Sequence, residues 1–162
     1  VQHAGIVLGM TGHANHIYAG GCQPDGGMFL SPDMYRDVSA VTGACMLVRK
    51  NVFEQVGGFN EDLKLVFNDV ELCQKVRQAG CRIVYVPSAI LLHHEGRSRS
   101  RFNPPGDIRL GADLLADEIE RGDRCYNANL SLAVNWPTLR RPFEPEAVKR
   151  LRDIVRFTTR SE

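Results

Sequence analysis

The chain has almost no net charge. Its 20 Lys and Arg offset 19 Asp and Glu, leaving +1, so the whole molecule has no strong pull on nucleic acid or an anionic membrane. No apolar run approaches the ~20 residues that a bilayer span requires; the longest, residues 83–92, is broken by Pro87 and Ser88. There is no CxxC, and Cys22, Cys45, Cys73, Cys81 and Cys125 are irregularly spaced. That argues against a disulfide framework and predicts reduced thiols, most of them buried as small apolar side chains, in a reducing compartment. A zinc site from Cys73, Cys81, His93 and His94 would fit no common zinc spacing. GxGxxG, GxxxxGK[ST] and GxSxG are all missing, so no dinucleotide fingerprint, P-loop or nucleophile elbow is expected. Neither an initiator Met nor a basic leader opens the chain, which starts in what reads as a strand; a fragment or processed chain is expected.

What is present suits a folded soluble domain. At 162 residues one domain, or one domain with a tail, is expected. The 43% apolar and 24% charged content excludes disorder. "VQHAGIVLG" alternates and reads as a strand. Residues 10–33, rich in Gly, Pro, Asp and Asn, read as a long loop. "SAVTGACMLVRK" reads as a buried strand with Gly43 marking a bulge or close approach. "NVFEQVGGF" reads as a short helix capped by Asn51, with Glu54 as its box partner and Gly57 or Gly58 as its stop. "DVELCQKVRQAG" predicts a stronger helix with Leu72, Cys73, Val76 and Ala79 inward, Lys75, Arg77 and Gln78 solvated and Gly80 at its end. "CRIVYVP" and "AILLHH" read as extended segments split by Pro87, the second as a buried strand closed by the two histidines. Residues 1–106 are expected to form the main unit and 107–162 a helical tail with an extended arm. In that tail, "IRLGADLLADEIERG" reads as a helix carrying Leu110, Leu114, Leu115 and Ile119 on one side. "PEAVKRLRDIVRF" reads as a terminal amphipathic helix with Val148, Leu151, Ile154 and Val155 inward. Its basic face suits anionic headgroups; packing back over its own core is an equal alternative.

Two groups could carry chemistry. Asn68-Asp69-Val70-Glu71 opens the second helix. As plain helix chemistry, Asn68 caps, Glu71 closes the capping box and Asp69 favours the positive end of the dipole. The same place suits a general base, because a carboxylate at a loop-to-helix junction is rigidly held and can take a proton from a hydroxyl. Asp69 and Glu71 are two apart and cannot face each other on a helix, which excludes the facing pair of a glycoside hydrolase. His93-His94-Glu95 closes the extended run. Only one of two neighbouring side chains can face a given site there. Neutral imidazole suits Mn²⁺-like or zinc-like ions, but carboxylates or substrate phosphates would have to complete the shell. "HANH", His13 to His16, reads as a surface loop. Arg97 to Arg101 read as a solvated loop or a phosphate clamp; without interleaved aromatics, nucleic acid is the weaker alternative.

The stretch "SAVTGACMLVRKNVFEQVGGFNEDLKLVFNDVELCQKVRQAGCRIVYVPSAILLHHEGRSR" resembles the C-terminal half of inverting family 2 glycosyltransferases. The rhamnosyltransferase-like enzymes of O-antigen and other surface-polysaccharide assembly are the nearest likeness. "VQHAGIVLGMTGHANHIYAG" and "DRCYNANLSL" extend the resemblance to about residues 1–132. It implies an α/β chain, the acceptor-binding half of a GT-A (Rossmann-like) domain, with a mixed sheet and flanking helices.

By that resemblance Asp69 is the catalytic base and His93 completes a divalent metal site, Mg²⁺ or Mn²⁺, with an Asp-x-Asp motif that this sequence lacks. Gly43 and Ala44 match the strand beside the donor sugar. Phe59, Asn60 and Glu61 match a segment near the acceptor, with Asn60 replacing the usual Asp. Asn68 and Glu71 flank the base, Glu71 where a second Asp is common. Ser98 and Arg99 match the tail of a His-His-Glu-Ser-x-Ser-Arg signature. Arg124-Cys125 and Ala128 stand where the family has Pro-Tyr and Pro. The implied partners are a nucleotide-sugar donor, a glycan or lipid-linked acceptor and an absent N-terminal nucleotide-binding half; no nucleic acid is implied. A cytoplasmic protein, peripheral at the inner membrane or free, is expected, inactive without its other half. A degenerate glycan-binding or assembly module is the alternative.

Overall fold

The computed structural model describes residues 1–20, 32–94 and 103–159. Its strands are short and paired two by two. β1 (Ile6–Leu8) pairs antiparallel with β2 (Ala14–His16), and β3 (Arg36–Asp37) pairs antiparallel with β4 (Val84–Tyr85). Among the described residues there is therefore no mixed sheet, contrary to expectation. The backbone donors around β1 explain why. Ile6 N–H donates to Ala40 O at 2.8 Å and Leu8 N–H to the Asp123 carboxylate at 2.7 Å. Loops and side chains thus satisfy, bond by bond, groups that a ladder would otherwise pair.

Four helices follow: α1 (Lys50–Gln55), α2 (Asn68–Gln78), α3 (Pro105–Arg121) and α4 (Ala147–Thr159). α1 has no side-chain cap; Arg49, not Asn51, precedes its first residue. Its end is as expected, with Gly57 and Gly58 both left-handed, at φ 79° and 66°. α2 buries Val70, Glu71, Leu72, Cys73 and Val76, while Ala79, expected inward, is exposed. α3 begins at Pro105, earlier than the leucine pattern suggests, since proline fits the first turn of a helix. α4 lays Leu151 and its neighbours against α3 and the 3-10 turn Met10–Gly12. A methyl group on Gly12 (φ 102°) would fall 2.6 Å from Ile154 Cδ1, so glycine there admits the helix. The apolar face of α4 is thus used inside the molecule. Among the described residues no helix is long and apolar enough to cross a membrane.

The main core joins Ile6, Leu8, Ala40, Val70, Cys73, Ala112, Leu115, Ile119 and Leu151. It draws on both sides of the 106/107 division. A second cluster holds Tyr18, Met10, Ile17 and Tyr126 with Trp136 against them. It is stitched by the arm, residues 123–146: Thr11 N–H donates to Leu132 O and Tyr18 N–H to Asn135 O, both at 2.7 Å. A third cluster packs Val52 of α1 on Leu72 and Val76 of α2.

Three sequence expectations fail here. "HANH" is no surface loop: residues 13–16 are half-buried, and residues 14–16 form β2. The run around Gly43 is no buried strand, for Gly43–Cys45 is an exposed 3-10 turn and Leu47 is fully exposed. "AILLHH" is not buried either, with Ile90, Leu91 and Leu92 at 83%, 69% and 82% exposure. These apolar side chains find no neighbouring element among the described residues. The described cysteines are free, but only Cys73 is buried; Cys22 lies outside the described residues.

Candidate active site at the start of the second helix

The chain enters α2 through Phe67, which is left-handed at φ 69° without being glycine. Phe67, not Asn68, holds the cap position, and no side-chain cap bond forms there. Its carbonyl accepts from Glu71 N–H at 2.8 Å, so the expected Asn68–Glu71 capping box is absent. Asn68 Oδ1 instead accepts from Asp69 N–H, and Asp69 Oδ1 from Val70 N–H, each at 2.9 Å. Two first-turn donors, Asp69 and Val70 N–H, are thus each satisfied by the side chain of the residue before.

Asp69 is half-buried, and its second oxygen accepts from Gly43 N–H at 2.9 Å. Gly43 opens the 3-10 turn, whose Thr42 Oγ1 accepts from Ala44 N–H. Bulk at residue 43 would come within 3.5 Å of Asp69 Cβ. Gly43 and Asp69, 26 residues apart, are thus brought together, with Ala44 exposed beside them. A carboxylate has about four lone-pair positions. Two are occupied by backbone N–H groups, which leaves Asp69 able to accept from a substrate hydroxyl.

The other expected residues are more dispersed. Glu71 is 7% exposed, and Lys75 Nζ lies 3.2 Å from its carboxylate while also donating to Gly58 O at 2.6 Å. Glu71 therefore braces the turn after α1 rather than facing a ligand. Phe59, past that turn, is 47% exposed and stacks edge-on against Phe53 with ring centroids 5.6 Å apart. Asn60 Oδ1 accepts from Asp62 N–H at 3.0 Å, a turn-forming role that Asp could also fill. Glu61 is exposed, and its carbonyl accepts from Lys64 Nζ. His93 and His94 are exposed, and no hydrogen bond or ion pair joins His93 to Asp69. Ser98, Arg99 and the rest of the basic run lie outside the described residues.

Metal ligation by these residues is not supported among those described. No group of three or more His, Cys, Asp or Glu side chains stands close enough to hold an ion. The Cys73 thiol is pushed up to about 11 by burial, and it donates to Val41 O. Cys73, Cys81, His93 and His94 are not brought together as a group that could hold an ion, so the zinc alternative has no site among the described residues. His93 alone does not fit a divalent ion, which would need ligands from elsewhere.

Sequence reasoning missed His3. Its Nε2 accepts from Thr42 N–H at 3.5 Å and its Nδ1 lies 3.3 Å from His16 Nδ1. Burial, with help from His16 and Arg36, pulls its pKa down to about 3. A neutral buried histidine destabilises the fold once the unfolded chain takes up a proton. Stability is therefore expected to be full above pH 6.5 and to fall as pH drops from 6.5 towards 3, by up to about 1.4 kcal/mol per pH unit. His13, also lowered by burial, acts in the same direction. Urea midpoints at pH 7.5, 5.5 and 4.5 check this; His3→Gln should flatten the decline.

Comparison with known proteins bears on the chain's family. Residues 24–103 match the model of a glycosyltransferase-like family 2. The chain is 38% identical to the uncharacterized protein y4gI of Sinorhizobium fredii, over 83% of this chain and 16% of that protein. It is 36% identical to the O-antigen biosynthesis protein RfbC of Myxococcus xanthus, over 87% and 11% respectively. It is 46% identical to the N-acetylglucosaminyl-diphospho-decaprenol L-rhamnosyltransferase of Mycobacterium tuberculosis, over 41% and 22%. The chain thus spans less than a quarter of each of these relatives. No solved structure matches it significantly. The family model covers the segment that holds Gly43 and Asp69, and that segment, residues 24–103, belongs to the glycosyltransferase-like family 2.

Proposed function

We propose that the chain is the acceptor-side half of an inverting sugar transferase of GT-A fold, acting at the cytoplasmic face in surface-polysaccharide assembly. The observation that carries it is the Asp69 carboxylate, braced by Gly43 and Val70 N–H groups and still reachable from solvent. In this role Asp69 takes the proton of an acceptor hydroxyl as that oxygen attacks the sugar carbon. Gly43 and Ala44 line the approach, and Phe59 offers an exposed ring to an acceptor. A nucleotide-sugar donor and a glycan or lipid-linked acceptor are supported by the relatives' names. A divalent ion, with ligands from outside the described residues, would neutralise the leaving diphosphate; no step here depends on it. Exposed Ile90, Leu91 and Leu92 suit a surface covered by the donor-binding half. The test is transfer by Asp69→Asn in the full-length enzyme, with donor binding measured in parallel.

A second function, glycan binding without catalysis, is favoured by one feature. A cleft of about 550 Å³ lies between the end of α3 and the start of α4, lined by Arg124, Asn127, Arg140 and Glu146 among others. Its volume falls in the usual range of roughly 300–1,000 Å³ for ligand sites. If that function holds, titration calorimetry of this chain with surface oligosaccharides in EDTA should register heat. Absence of heat excludes it.

A further inference from the structure

Asp107 is 2% exposed and sits in the first turn of α3, yet it does not cap its own helix. It reaches instead to the segment leading into α2. Its Oδ1 accepts from Lys64 N–H at 3.1 Å; its Oδ2 accepts from Leu65 N–H at 2.6 Å and Val66 N–H at 2.9 Å. Three successive amides converging on one point make a nest that attracts negative charge, and the carboxylate of α3 fills it. The next residue is Phe67, held in the left-handed conformation. One turn beyond Asp107, Gly111 receives the Phe67 ring: a methyl group there would fall 2.6 Å from Phe67 Cγ. The ring also meets His13 edge to face, centroid to centroid 5.5 Å. Backbone and ring of the entry to α2 are thus both gripped by one face of α3, and Asp69 lies two residues further on.

We infer that Asp107 is a positioning residue for Asp69: by filling the amide nest at residues 64–66 it fixes the left-handed entry into α2 and so the direction of the Asp69 carboxylate. Asp107 does no chemistry itself, being sealed from solvent. Burial pushes its pKa up, but the three N–H groups outweigh this and hold it below the ordinary carboxylate range. The catalytic consequence rests on the transferase function proposed above; the anchoring does not.

Two measurements test it. In this chain, Asp107→Asn keeps the shape but removes the charge and one acceptor oxygen. Amide hydrogen exchange should quicken at residues 64–69 and stay unchanged in α4 and β1. Unchanged exchange at 64–69, or an even quickening throughout, overturns the inference. In the full-length enzyme, Asp107→Asn should lower kcat by roughly 10²-fold while the donor KM holds, and Asp107→Glu, which keeps the charge, should recover part of the loss. A merely structural role would instead reduce the active fraction and leave the kcat of the folded enzyme unchanged; that result overturns the positioning role. If Asp69→Asn retains turnover, the transferase function is what fails, and the exchange measurement still decides the anchoring. If Asp107→Asn does not fold, Asp107→Glu carries both readouts.

Discussion

Asp69→Asn in the full-length enzyme is expected to lower kcat by roughly 10²–10⁴-fold, the usual worth of a positioned general base, with donor affinity unchanged. Asparagine has the same shape but no basic oxygen pair. One face of its amide can still accept from Val70 N–H, as Asp69 Oδ1 does. The other face then presents N–H₂ to Gly43 N–H, where the carboxylate now accepts. The variant thus loses the proton acceptor and loosens one brace, at Gly43. Stability should change little, because Asp69 is half-exposed and the helix keeps its other first-turn bonds. Single-turnover transfer and equilibrium donor binding, measured on one preparation, separate these effects. Turnover within tenfold of wild type would remove Asp69 from the base role.

The helices were legible because their signal is local. Leu115 and Ile119 of α3 and Leu151 of α4 end up in the core with Val148 and Val155 packed against it, while Leu110, Leu114 and Ile154 are half-buried. Gly57, Gly58 and Gly80 stop their helices in the left-handed region as their positions predicted. Two of the short strands were legible, β1 in the alternation of "VQHAGIVLG" and β4 within "CRIVYVP", but the run at 39–48 was not, since it looks the same whether it becomes a strand or a 3-10 turn. "HANH" was misread because its burial comes from ring contacts, His13 on Phe67 and His16 on His3, that polar composition does not announce.

At the site, the sequence placed Asp69 at a helix start. It did not foresee the left-handed Phe67, because no residue type marks that conformation except glycine, with Asn and Asp more weakly. Asp107 was hidden for another reason. It follows Pro104-Pro105-Gly106, which reads as a linker, and its partners lie 41 to 43 residues back. A buried acid whose partners are backbone amides leaves no complementary charge in the sequence to search for.

The other large effect is expected at Asp123, where the same logic ties three distant segments. Its Oδ2 accepts from Leu8 N–H; its Oδ1 accepts from Ser39 Oγ and Cys125 N–H, all at 2.7 Å. Leu8 is 3% exposed and Ser39 1%, so neither can turn to water. Asp123→Ala strands both groups, each at about 1–3 kcal/mol, and the total of roughly 2–6 kcal/mol is a large share of a domain's net stability of about 5–15 kcal/mol. For a chain this long that corresponds to a melting point lower by roughly 4–24 °C. Asp123→Asn should fall between, because its amide oxygen can serve Leu8 or Ser39 but not both. Asp113→Ala on the exposed side of α3 should stay within about 0.5 kcal/mol of wild type. The damage should also reach the candidate site, since Ser39 precedes the Ala40 bridge to Ile6 and the turn that presents Gly43 to Asp69. Calorimetric melting with hydrogen exchange at residues 39–45 follows both consequences. A melting point for Asp123→Ala equal to that of Asp113→Ala would show that this carboxylate does not hold the arm to the first strand.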